Sequence, residues 1–235
     1  GIGSTIAFGD SAEAIYNSPY LRYARFVGKG KTNAFGAFRY CQSLLAVSME
    51  AENTNCTSLN YWFDGCTSLL AISPQILISG ATYNSTFSGC GIPALPKKKF
   101  YPTQLEYALR DMKGISIDGN YVDTSECTYF FATFHSSNVH SITNFNISKL
   151  SFAESLLFNA YTLVRLTFAG ETTPGGWTIS PKSARMSHQA LVELINSLPT
   201  ATAAATLALA GNPGAAELTE DEIAVATARN WTITV

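Results

Sequence analysis

The chain has 235 residues, 46% of them hydrophobic and only 14% charged, with a formal net charge of −2. That charged fraction is low against the usual quarter, and without an excess of Lys and Arg to neutralise phosphates the chain is not expected to bind nucleic acid. No apolar run reaches the ~18 residues needed to span a bilayer, so membrane insertion is not expected either.

Along the chain an aromatic residue is followed five or six positions later by an apolar one, and three after that by another small or apolar one. The copies are Tyr16, Leu21, Ala24; Phe38, Leu44, Val47; Phe63, Leu69, Ile72; Phe87, Ile92, Leu95; Tyr107, Met112, Ile115; Phe134, Val139, Ile142; and Phe158, Leu163, Leu166. The two clearest read Phe38-Arg-Tyr-Cys41-Gln-Ser-Leu44-Leu-Ala-Val47 and Phe63-Asp-Gly-Cys66-Thr-Ser-Leu69-Leu-Ala-Ile72. A duplication of this length marks a supersecondary unit that cannot bury its apolar face alone and must stack on its neighbours. Each apolar pair is expected beside a short strand, with the aromatic filling the interior behind it.

Five cysteines occur, without a C-x-x-C pair. Cys41, Cys66 and Cys90 recur at nearly the repeat spacing and are expected as a buried column, because free Cys behaves as a small hydrophobe. No metal site and no cofactor is expected. The basic run Lys97-Lys98-Lys99 reads as a solvated loop.

After Gly175-Gly176 the pattern changes. Ser187 can cap a helix whose face is Leu191, Leu194, Ile195 and Leu198, ended by Pro199. A strand is expected over 206–211. Thr219 and Glu222 form a capping box for a second helix, flanked by Leu218 and Ile223 as a staple. Trp231 opens a last strand. Leu207 and Trp231 are taken as equivalent, so the tail reads as two more repeats bearing helices. The expected division is 1–175 for the irregular repeats and 176–235 for helix-bearing capping repeats, in one continuous solenoid.

Residues 38–47 and 63–72 resemble the BspA-type leucine-rich repeat. The likeness is partial at 87–95, 134–142 and 158–166, and it departs at 135–138, where His-Ser-Ser-Asn stands in place of Gly-Cys. The tail resembles the C-terminal ends of the same family, which would put Val235 near a natural terminus. The resemblance implies an α/β fold: a leucine-rich-repeat solenoid with a single parallel sheet, irregular outer coils and helical C-terminal caps. It also implies an extracellular or cell-surface location, as in surface proteins of gut and oral bacteria, or a place in a gut phage tail.

No G-x-S-x-G elbow and no Walker glycine loop is present. His135 and His140 lie in a Ser- and Asn-rich stretch that disfavours a helix, so their spacing does not suggest a metal. His188 falls in the first turn of a helix, and Glu220-Asp221-Glu222 suits a helix N-terminus. The chain is therefore expected not to be an enzyme. Strand alternation puts Lys113, His140, Ser141, Arg165 and Thr167 on an outward ribbon. This ribbon is the expected binding face, as in a cell-surface adhesin-like module that contacts host or bacterial surface protein or glycan. The alternative is a phage tail or fibre component that recognises a bacterial surface.

Overall fold

The computed structural model describes residues 15–27, 35–51 and 56–235. Its organising element is a turn. In the clearest copy, the N–H groups of Cys66 and Leu69 donate to the carbonyls of Phe63 and Cys66, at 3.0 and 3.1 Å. This three-residue step points Phe63, Cys66 and Leu69 inward, and all three are fully buried. Phe38, Phe63 and Phe87 stack one over the next, with centroids 5.7 and 5.6 Å apart and planes within 2° and 15°. The Cys66 thiol donates to the carbonyl of Phe38 at 3.0 Å, and Cys41 donates to Ile15 at the same distance.

Each turn also carries two residues in the left-handed region, four positions apart. They are Gly36 and Tyr40, Tyr61 and Gly65, Ser85 and Gly89, Tyr107 and Asp111, Ala132 and Ser136, and Ser155 and Asn159, with φ between 49° and 71°. A left-handed residue costs a non-Gly side chain about 1–2 kcal/mol. The return is a main-chain ladder. Leu59, Tyr61, Phe63 and Gly65 donate to the carbonyls of Thr82, Asn84, Thr86 and Ser88 at 2.8–2.9 Å. The turns beginning at Tyr83, Leu105 and Phe130 repeat the same four bonds onto the turn that follows each.

Strands form opposite these turns. β1 (Tyr23–Phe26), β2 (Ala46–Met49) and β3 (Ala71–Ile72) make one parallel sheet. β4 (Ser116–Asp118), β5 (Ser141–Asn146) and β6 (Arg165–Ala169) make a second. β7 (Thr172–Gly175) pairs with β9 (Thr200–Ala203). β8 (Thr178–Ile179), β10 (Ala205–Ala208) and β11 (Trp231–Thr234) form the last sheet.

The expected leucine-rich-repeat solenoid with a single parallel sheet is therefore overturned. The strands of the described residues fall into four small separate parallel sheets, accompanied by two α-helices. Two physical causes divide them. Between β3 and β4 the predicted strand residues Ile92 and Leu95 are flanked by Pro93 and Pro96, which have no N–H for a ladder. At the free edge of β6 the neighbour in space is α1 (His188–Ser197), not a strand. Ser197 Oγ accepts the Phe168 N–H at 3.0 Å, so the helix covers the strand edge that another strand would have used.

The helix ends match their sequence signals. Ser187 accepts from the Ala190 N–H, and Leu191, Leu194 and Ile195 are buried. α2 (Glu220–Thr227) begins at the complete Thr219–Glu222 capping box. The tail's register differs by two residues from the expectation: Leu207 pairs with Ile233, and Ala205 with Trp231. Trp231 is buried and its indole donates to the Pro199 carbonyl at 2.8 Å.

Three local expectations also change. In the fifth copy the interior position belongs to Leu109, not Tyr107, and Ile117 pairs with Ile142. In the seventh, Leu157 is buried while Phe158 is 53% exposed. Lys98 and Lys99 are not simply solvated: Lys98 Nζ donates to the Leu77 carbonyl at 2.6 Å, and Lys99 pairs with Asp123 at 2.9 Å.

Candidate functional site

Of the predicted binding residues, Ser141, Arg165 and Thr167 lie on the second sheet, and Lys113 and His140 precede its strands. Ser116, Ser141 and Arg165 stand in register across β4, β5 and β6. His140 is exposed just before β5, and its N–H donates to Ile115. Lys113 is exposed but precedes β4 and is not on a strand. The backbone bond across from it is made by Asn138 to Met112, so Lys113 does not align with His140.

Thr167 is not outward. It is buried, and its Oγ1 accepts the Asn144 N–H at 3.0 Å where the β5–β6 register shifts. The irregularity breaks the strand alternation on which the outward placement rested. Arg165 is exposed but engaged: its guanidinium forms a two-pronged contact with Glu193 of α1, with Nε to Oε2 at 2.9 Å. That contact raises the Arg165 pKa above its ordinary value and holds the Glu193 carboxyl below its own.

The first sheet has an equivalent face that the weak first copy concealed. A shallow depression of about 380 Å³ lies over β1–β3. Tyr23, 68% exposed, and Arg25 stand on it, in register with Ala46 and Ser48.

Burial dominates the cysteines. All five are free and buried. Desolvation raises the Cys66 thiol far above its ordinary value and pushes Cys90 and Cys127 up to about 12. Such thiols are poor nucleophiles. Ser137 explains the departure at 135–138. It takes the place of Cys in the column, and its hydroxyl donates to Leu109 as Cys66 donates to Phe38. His188 Nε2 lies 3.0 Å from Glu222 and joins the two helices. Among the described residues no group of three or more His, Cys, Asp or Glu could hold a metal ion.

A second feature was not legible in the sequence. The turn over 152–159 accepts the preceding ladder through the carbonyls of Phe152, Glu154, Leu156 and Phe158. The next segment does not answer it. Gly176 and Ser183 donate forward to Ala204 and Ala210, and Trp177 accepts from Thr206. A groove of about 810 Å³ lies between residues 151–161 and 176–183. Phe158 and Tyr161, each about half exposed, flank it together with Trp177, Glu154 and Lys182.

Comparison of the chain with family models, with curated proteins and with solved structures returned no match.

Proposed function

We propose that the chain is a non-enzymatic binding module that recognises a protein or glycan at a host or bacterial surface through its exposed sheet faces. The observation that carries this reading is the register of Ser116, Ser141 and Arg165, with His140 beside them, on one accessible row. Small hydroxyls let a partner approach the backbone closely, while Arg165 and His140 offer directional hydrogen bonds at its margin. Arg165 enters that role already oriented by Glu193, which lowers the entropy lost on contact. The extracellular setting rests on the resemblance at 38–47 and 63–72.

The test is a glycan and surface-protein array probed with the wild type and with the Lys113→Ala/His140→Ala/Arg165→Ala variant. All three side chains are exposed, so folding should change little. A hot-spot Arg should contribute on the order of 1–2 kcal/mol, so ligands of the wild type should be lost or bound about tenfold more weakly. Equal binding by both proteins would move the contact surface elsewhere.

A further inference from the structure

We propose that the groove between residues 151–161 and 176–183 docks a polypeptide turn of a partner protein. The turn's main-chain carbonyls would be received by the open row of Ala153, Ser155, Leu157 and Asn159 N–H groups. This row is the same one that the molecule fills elsewhere. The four equivalent groups of the preceding turn, on Phe130, Ala132, Phe134 and Ser136, each meet a carbonyl at 2.8–3.0 Å. Ser155 and Asn159 keep the left-handed geometry of Ala132 and Ser136, with φ of 57° and 60°. The donors of the last turn are thus already aimed, and they have no hydrogen-bond partner among the described residues.

The ladder's polarity specifies the occupant. Within each turn every second N–H points toward the following turn, and the carbonyls between them point toward the preceding one. The peptide dipoles add, as they do in a helix, so the open edge carries donors only. The edge of a regular β-strand carries N–H as well as C=O groups and would set its own donors against the row. A main chain that alternates around left-handed residues presents carbonyls alone, as residues 152–158 do to their predecessor. The partner turn should therefore carry Gly, Asn or Ser at positions four apart, the residues that tolerate φ near +60°.

The groove supports this occupant in two further ways. Its volume of about 810 Å³ leaves room for a short turn of main chain. Phe158 and Tyr161, 53% and 52% exposed, give the turn's side chains an apolar wall. Trp177 also lines the groove, and its indole N–H is enclosed without a partner. This site is separate from the sheet face and does not depend on it.

The test is selection of displayed cyclic peptides of about ten residues on the full chain, with each binder then measured on Phe158→Ala/Tyr161→Ala. Both side chains are half exposed, and an unchanged melting midpoint verifies that the variant folds. Binders should carry Gly, Asn or Ser four apart and should bind the variant at least about tenfold more weakly. They should also slow amide exchange at residues 153, 155, 157 and 159 in the wild type. Failure to select any binder overturns the proposal, as does a set of binders that leaves these four amides unaffected. A glycan whose binding is lost in this variant would assign the groove to sugar and equally overturn it. Ligands lost in the Lys113/His140/Arg165 variant but kept by Phe158→Ala/Tyr161→Ala, with no groove-binding peptide found, would sink this inference and leave the sheet-face reading standing.

Discussion

Residues 35–169 and residues 172–235 solve one problem in two ways. Behind each strand the chain must return through a segment whose backbone groups cannot be left unpaired. In the first region the return is an irregular turn, and its N–H groups are satisfied by the next turn along. In the second it is a helix, satisfied within itself and needing help only at its ends. That help is visible. Thr219 and Glu222 close the start of α2. The Arg229 guanidinium donates to the carbonyls of Ile195, Asn196 and Leu198, at 3.2, 2.7 and 2.8 Å, at the end of α1. The lesson is about dependence. A turn in the first region needs its neighbour, and the last turn of the series is left with an open edge. A helix in the second region needs its neighbour only at its ends.

The largest expected effect tests whether the first region shares one packing column. Phe63 is fully buried between Phe38 and Phe87. Phe63→Ala should cost about 3–5 kcal/mol, since it removes a large core side chain and leaves a cavity among stacked neighbours. Chemical denaturation reads the loss. A cost below ~1 kcal/mol would mean that the aromatic stack is not a shared core.

A matched pair then compares the two kinds of return. Gly89→Ala makes only an ordinary van der Waals contact, with the Gly65 Cα 3.9 Å from the new Cβ, but it keeps φ at +60°. It should therefore lose ~1–2 kcal/mol through backbone strain alone. Arg229→Ala should lose a comparable ~1–2 kcal/mol by freeing three carbonyls at a helix end. Amide exchange should separate the two. Gly89→Ala should loosen the turns on either side of it, whereas Arg229→Ala should loosen the end of α1. Identical exchange patterns would show that the two regions open as one unit and would defeat the contrast.

The smallest effect is in pH. The Thr219 backbone N–H, together with His188, holds the Glu222 carboxyl below its ordinary pKa, and Arg165 does the same for Glu193. A carboxyl depressed in the folded state stabilises the fold while ionised. That contribution is complete above the ordinary Glu value of about 4.3 and is lost as pH falls through the depressed value. The melting midpoint should thus decline below about pH 4.3. Glu222→Gln should lower it at pH 7 and flatten the acid limb. A variant with the wild-type acid limb would remove the pair from the account.

The sequence by itself determined the periodic interior and the helix ends. Phe63, Cys66, Leu69 and Ile72 are buried as their spacing requires, and Ser187, Thr219 and Glu222 cap where expected. Both signals are local, because side-chain direction and end groups depend on residues a few positions apart. Only the tertiary structure decided the rest. Tyr61, Tyr107 and Ala132 adopt left-handed geometry that their residue types do not announce, because a carbonyl of the following turn receives each N–H. The division into four sheets follows from what each strand edge meets, a proline-flanked segment in one place and α1 in another. Thr167 turned inward because of a register shift between two strands. The groove exists because residues 176–183 pair forward and not back. Each of these is a choice of partner some 22 to 29 residues away, and a hydrophobic period records which side chains point inward but not which neighbour each backbone group will find.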